Sequence, residues 1–155
     1  MIKNPLKIKF KLTHEKAVLP KAIREGDIGF DIYAVEDTTI LPNCTRIIKT
    51  GLVLADCDTQ APNMNSWFMK VEGRSGMASK GVFPVGGIID PTYRGEIGVI
   101  LFNSSNEEKF VIKQGDRVAQ IILYNVIAGN SVLFSEAEEV KDTVRGASGY
   151  GSSGK

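Results

Sequence analysis

Histidine is nearly missing from this 155-residue chain: His14 is the only one, in a polar N-terminal stretch. No zinc-deaminase pairing of H-x-E with P-C-x-x-C, no H-E-x-x-H metal site and no serine–histidine couple can be assembled from it. If the chain is an enzyme, its general base is expected to be a carboxylate. Cysteine is almost as scarce. Cys44 and Cys57 form no C-x-x-C pair, so they read as buried thiols or exposed spectators. Charge of one sign is not in excess, with 19 Lys and Arg against 18 Asp and Glu. That removes any general electrostatic reason to bind nucleic acid or an anionic membrane and leaves only local basic groups to matter. Long apolar runs are absent. Stretches such as Ile121 to Leu123 fall far short of the ~20 residues of a membrane span, and no signal-peptide core is seen. The expectation is a single cytoplasmic domain, since a chain of this length can bury roughly two-thirds of its unfolded surface around one core without disulfides.

What is present is alternation. Lys7-Ile8-Lys9-Phe10-Lys11-Leu12 alternates polar and apolar, and Phe30, Ile32 and Ala34 alternate with Asp31 and Tyr33, the period of a strand with one buried face. Further strand-like runs lie at Thr38 to Leu41, Thr45 to Leu54, Trp67 to Val71, Ile97 to Phe102, Phe110 to Ile112 and Val118 to Val126. Gly, Pro, Asn and Asp separate them at short intervals, as in a sandwich or barrel. One short helical turn is predicted, Ser75 to Lys80, and no βαβ rhythm appears. Residues 1–144 read as one β domain. Residues 145–155, rich in Gly and Ser with Tyr150 as the one large anchor, read as a flexible tail. Gly149 to Gly154 satisfies G-x-G-x-x-G and Gly149 to Lys155 the G-x-x-x-x-G-K string. Both patterns need a preceding strand and a following helix, so both are set aside as products of glycine density.

Three segments carry residue types suited to a nucleotide. Gly73-Arg74-Ser75-Gly76 places a guanidinium, a hydroxyl and flexible backbone donors at the start of the helical turn, where amides and helix dipole favour phosphate. Read alone, it is a helix cap at Ser75 beside a surface arginine. Val85 to Glu96 reads as a hairpin with Asp90 at a strand end and Tyr93 just past the turn. Gly86 and Gly87 would let its backbone approach a flat base closely, and Asp90 could take a proton from water. Alone, it is also an ordinary Asp turn with a packed tyrosine. Gly115 to Leu123 is a turn leading into a strand that is apolar except for Gln120, a neutral group able to hydrogen-bond a phosphate or a neighbouring chain, and alone a structural one.

In this order and spacing, these segments resemble the five motifs of the trimeric dUTPase family, the deoxyuridine 5'-triphosphate nucleotidohydrolases. Gly29-Phe30-Asp31-Ile32 is similar to the first motif, Gly73 to Gly76 to the second, Gly87 to Gly95 to the third, Arg117 to Leu123 to the fourth and Arg145 to Gly154 to the fifth. The resemblance runs from about Gly26 to the end of the sequence. It implies an all-β subunit of β-clip or distorted jelly-roll type with one short helix, assembled as a homotrimer whose active sites are shared between chains. The implied reaction is hydrolysis of dUTP to dUMP and pyrophosphate with Mg²⁺ on the triphosphate, which keeps uracil out of DNA and supplies dUMP for dTMP synthesis.

The resemblance also implies roles. Asp90 would activate water for in-line attack on the α-phosphorus. Asp31 would act on the metal through water, not as a direct ligand. Arg74, Ser75, Gly76 and Gln120 would hold the α and β phosphates, and Arg145 the γ phosphate. Gly87, Ile89 and Gly98 would face uracil, Tyr93 would lie under the sugar, and Tyr150 with Gly151 would close the tail over the base as a lid. The sequence departs from the family at a few points: Tyr150 for the more usual Phe, Ser153 for Thr, Pro84 where Asn is common, and Asp27-Ile28 before Gly29 where small residues are typical. Two other readings stay open on the residues. A dCTP deaminase of the same fold would need a catalytic glutamate near the second motif, and Glu72 precedes Arg74. A catalytically idle nucleotide-binding protein would have no use for Asp90, Arg145 and Tyr150 together.

Overall fold

A computed structural model describes residues 6–57, 66–127 and 131–144. Within them the chain forms eleven strands and one helical turn. In order these are β1 (Ile8–Leu12), β2 (Phe30–Tyr33), β3 (Thr38–Ile40), β4 (Thr45–Ile48), β5 (Leu52–Cys57) and β6 (Ser66–Glu72), then α1 (Ser75–Ala78), β7 (Val82–Pro84), β8 (Ile88–Ile89), β9 (Val99–Asn103), β10 (Phe110–Ile112) and β11 (Arg117–Val126). Every strand pairing is antiparallel. The largest sheet has the order β2-β11-β6-β8, a second has β4-β9-β7, and two pairs, β1-β5 and β3-β10, complete the body. The nearly all-β expectation with one short helix therefore holds.

Alternation explains the core. Trp67, Met69 and Val71 of β6 point inward with Ile121 of β11, Ile32 of β2, Leu52 and Leu54 of β5, and Val99 and Leu101 of β9, all nearly or fully buried. Each such side chain stabilises the fold by roughly 1.5–3 kcal/mol relative to exposure. The buried polar groups are satisfied locally. Asn103 donates through Nδ2 to the carbonyls of Ile40 and Glu108, at 3.2 and 2.8 Å, and Thr50 donates to the carbonyl of Ile97.

Three elements differ from expectation. The Thr45 to Leu54 run is two strands in different sheets, divided at Lys49-Thr50-Gly51. Gly51 sits at φ +65°, and a Cβ there would strike the side chains of His14 and Ala17, so the reversal is open to glycine and to little else. The three-residue β7 was not foreseen. The segment from Val85 to Glu96 does not pair with itself. Its β8 adds to the edge of the large sheet beside β6, and Glu96 bridges to Val53 on β5, so the expected hairpin is a connection between two sheets. Beyond β11, the described stretch 131–144 runs outside the body, with Leu133, Phe134 and Val140 each more than nine-tenths exposed. No helix among the described residues is long and apolar enough to cross a membrane.

Candidate active site

The large sheet places three polar side chains in one row. Antiparallel register sets Gln120 of β11 opposite Asp31 of β2 on one side and opposite Glu72 of β6 on the other, so all three project from the face away from Met69, Val71 and Ile121. A register irregularity between Arg117 and Ala119 leaves Arg117 opposite Tyr33, two residues from Asp31. The extra residue is Val118, buried next to the equally buried Ala119. Without this bulge Arg117 would point at the core; with it, Arg117 joins the face of Asp31 and Gln120.

Asp31 is the hub. Its Oδ1 accepts from Nε of Arg74 at 3.1 Å and its Oδ2 from Nη1 of Arg117 at 3.2 Å, with the carboxylate side chain only 12% exposed. Arg74 also donates through Nη1 to the carbonyl of Arg117 at 3.2 Å. Charge-assisted contacts of this kind fix both guanidiniums in place. Gln120 donates from Nε2 to the carbonyl of Gly73 at 2.9 Å, and a Cβ at Gly29 would overlap its Oε1. Gly29 is thus glycine so that the Gln120 amide can lie against it.

Arg74 caps α1 through its backbone without a side-chain capping bond, so Ser75 is not the helix cap and its hydroxyl is left for other partners. Arg74, Ser75, Gly76, Asp31, Arg117, Gln120 and the loop from Ile23 to Gly29 line one cavity of about 780 Å³. Glu72 is turned elsewhere. Its Oε1 accepts from Nζ of Lys70 at 2.6 Å and from the Tyr124 hydroxyl at 3.4 Å, and the Lys70 amine is held above its ordinary value by that bond. The glutamate a deaminase reading would need is therefore committed to a lysine outside the cavity.

Asp90 is not among the residues lining that cavity. It follows β8, is exposed, and its carbonyl accepts the Tyr93 amide at 3.0 Å to close a turn. Arg94 clamps that turn, donating through Nη1 to the carbonyls of Pro91 and Tyr93 at 2.7 and 3.0 Å. Cys57, unassigned from sequence, donates its thiol to the Pro91 carbonyl at 3.3 Å. The Tyr93 hydroxyl donates to the Glu96 carbonyl at 3.2 Å, and the ring covers Gly95, where a Cβ would overlap it. Ile89 is a core side chain, so only its backbone can face a ligand. Gly87, at φ +102°, accepts the Val71 amide at 2.9 Å, and Gly98 packs against Ile47. Arg145, Tyr150 and Gly151 lie outside the described residues. The expected site residues that are described thus fall into two groups: Asp31, Arg74, Ser75, Gly76 and Gln120 around the cavity, and Gly87, Ile89, Asp90, Tyr93 and Gly98 about the 85–98 connection. Sequence reasoning missed Arg117 as a partner of Asp31. Its one signal was two consecutive apolar residues, Val118-Ala119, before Gln120.

Antiparallel strands with a single helical turn, opening on a cavity where two arginines flank one carboxylate, define a jelly-roll-like fold with guanidiniums lining its cavity. The dUTPase family model matches residues 15–154, and the chain belongs to that family, the dUTP diphosphatases. It is 35% identical to the deoxyuridine 5'-triphosphate nucleotidohydrolase of Clostridium novyi, covering 96% of this chain and 99% of the relative. It is 40% identical to that of Helicobacter hepaticus, covering 95% and 88%. Among solved structures, the Staphylococcus bacteriophage 80alpha dUTPase with dUPNHPP superimposes with a TM-score of 0.80 at 23% identity, over 96% of this chain and 99% of that one. The dUTPase of phage phi11 of S. aureus, in a structure describing coordination of a structural Mg(II) ion, matches with a TM-score of 0.72 at 20% identity, over 86% of this chain and 97% of that one.

Proposed function

We propose that the protein hydrolyses dUTP to dUMP and pyrophosphate by in-line attack of water on the α-phosphorus. The observation that carries this reading is the convergence of Asp31, Arg74, Ser75, Gly76, Arg117 and Gln120 on one cavity in a chain of this family. The paired guanidiniums and the Gln120 amide are donors aimed at phosphate oxygens, and donors held before substrate arrives stabilise charge that develops in the transition state. Asp90 is the carboxylate that orients and deprotonates the water. Backbone groups at Gly87 and Ile89, with Gly98, read the uracil edge. Tyr93 packs under the sugar and excludes a 2′-hydroxyl. Arg145 reaches the γ phosphate, and Tyr150 and Gly151 close over the base as a lid formed by residues 145–155. The dUMP released serves dTMP synthesis, and removal of dUTP limits uracil in DNA.

Mg²⁺ fits this donor set in an outer-sphere role. Among the described residues no group of three or more His, Cys, Asp or Glu side chains could hold a metal. Asp31 has one arginine donor on each oxygen, which leaves a further lone pair on each for a metal-bound water. Mg²⁺ retains waters and binds phosphates readily, and on the triphosphate it would supply charge neutralisation.

The active unit is a homotrimer with sites shared between chains. Two features support that reading: the Asp90 turn does not line the cavity, and Leu133, Phe134 and Val140 are bare on the single chain. A site completed by neighbours would bring one chain's turn to another's cavity.

The test is pyrophosphate release from dUTP with Mg²⁺, run beside dCTP, dTTP and UTP. Release from dUTP alone is expected, and equal turnover of dCTP would refute the reading. Asp90→Asn is expected to lower kcat by at least about a hundredfold, the lower range for general-base loss, while a non-hydrolysable imido analogue still binds. Surviving turnover would remove Asp90 from its role.

A further inference from the structure

The cavity holds a third arginine that the motifs do not account for. Arg24 lines it together with Arg74 and Arg117, against two carboxylates, Asp27 and Asp31. The three guanidiniums are not equivalent. Those of Arg74 and Arg117 are both bound to Asp31, so part of their charge is compensated before any ligand arrives. The Arg24 side chain has no hydrogen-bond or ion-pair partner among the described residues. Asp27, the other carboxylate of the cavity, accepts the backbone N–H of Arg24 at 2.8 Å.

The loop that carries Arg24 is built to hold its shape. Lys21 and Asp31 exchange backbone hydrogen bonds at 3.3 and 2.8 Å, which pins both ends of the loop beside the hub carboxylate itself. Arg24 to Asp27 forms a turn closed by the Asp27 amide on the Arg24 carbonyl at 3.2 Å, with Gly26 at φ +89° in the third position, as a type II turn requires. The Asp27 side chain reaches back to the first residue of the same turn.

We propose that Arg24 is a further anchor for the phosphate chain: a guanidinium with no carboxylate partner of its own, on a preorganised loop, offered to a polyphosphate in the Asp31 cavity. This rests on the reading of that cavity as the triphosphate site. A monophosphate held by Arg74, Ser75 and Gln120 leaves Arg24 unengaged. A diphosphate or triphosphate, with more charge spread over more oxygens, draws on it. Arg24 therefore discriminates by the length of the phosphate chain and leaves the base unread.

The experiment is calorimetric titration of the full-length protein and its Arg24→Gln and Arg24→Lys variants with pyrophosphate, dUMP and a non-hydrolysable imido analogue of dUTP, at low and high salt. Arg24→Gln is expected to weaken pyrophosphate and the imido analogue about tenfold, the scale of one charge-assisted contact, and to leave dUMP within about twofold. Arg24→Lys is expected to recover much of the loss, and the salt dependence of the Gln variant to be shallower. Unchanged binding of the imido analogue by Arg24→Gln would overturn the proposal. So would an equal loss for dUMP, which would make the arginine a support of the loop. A wild-type protein that binds neither pyrophosphate nor the imido analogue would instead overturn the reading of the cavity.

Discussion

Asp31 decides what the cavity offers a ligand, because both of its oxygens hold arginines that would otherwise repel each other. Asp31→Asn removes the charge and turns an amide N–H toward one guanidinium, so a donor faces a donor. The expected result is a fall in kcat/KM for dUTP of roughly ten- to a hundredfold, the range set by loss of a charged hydrogen-bond partner. Steady-state kinetics measure this directly, and near-normal kcat/KM would mean the arginines are held by other contacts. The importance of Asp31 was legible in the sequence through its motif, and Gln120 stood out as the one polar residue between Val118 and Leu123. The arginine partners were less legible. Arg74 and Asp31 are 43 residues apart and Arg117 and Asp31 are 86 apart, and nothing local encodes their meeting. Arg74 is brought there by the turn between β6 and α1, and Arg117 by a register that depends on one bulged valine.

At the scale of elements, alternation identified β1 and β2, whose Ile8, Phe10 and Ile32 turn to the core. The break between β4 and β5 was illegible because Ile48, Leu52 and Leu54 are apolar on both sides of it, and the reversal resides in the backbone of Gly51. β7 was illegible because three residues ending in proline make no period. The connection carrying Asp90 was read as a hairpin from its turn residues, yet β6 offered β8 a partner with a longer apolar face. Gly87 is the joint of that pairing. Its carbonyl bonds Val71, it has positive φ, and a Cβ would lie 2.9 Å from the Cβ of Val71. Gly87→Ala is expected to destabilise the fold by roughly 1–3 kcal/mol through overpacking and backbone strain. Urea unfolding would show this as a lower midpoint at unchanged slope; an unchanged midpoint would mean the edge strand relaxes freely.

For the whole molecule, the exposed segment 131–144 is where the proposed trimer can be tested. Replacing Leu133 and Phe134 together by Asp adds charge to side chains that are bare on the single chain and would be buried against a neighbour in a trimer. Sedimentation is expected to show three associated subunits for the wild type and single subunits for the variant, with dUTP hydrolysis lost in parallel. A wild type that sediments as one subunit yet turns over dUTP would refute the shared site. The two groups of site residues also sit on different parts of the fold. Under the proposed function, charge falls to β2, β11, the start of α1 and the Arg24 loop, and the base to the connection around β8. If the phosphates and the ring are met by these separately built parts, the two recognitions can drift independently. A lineage would then be able to exchange one nucleobase for another by rewriting the sheet edge around β8, and inherit its grip on polyphosphate intact.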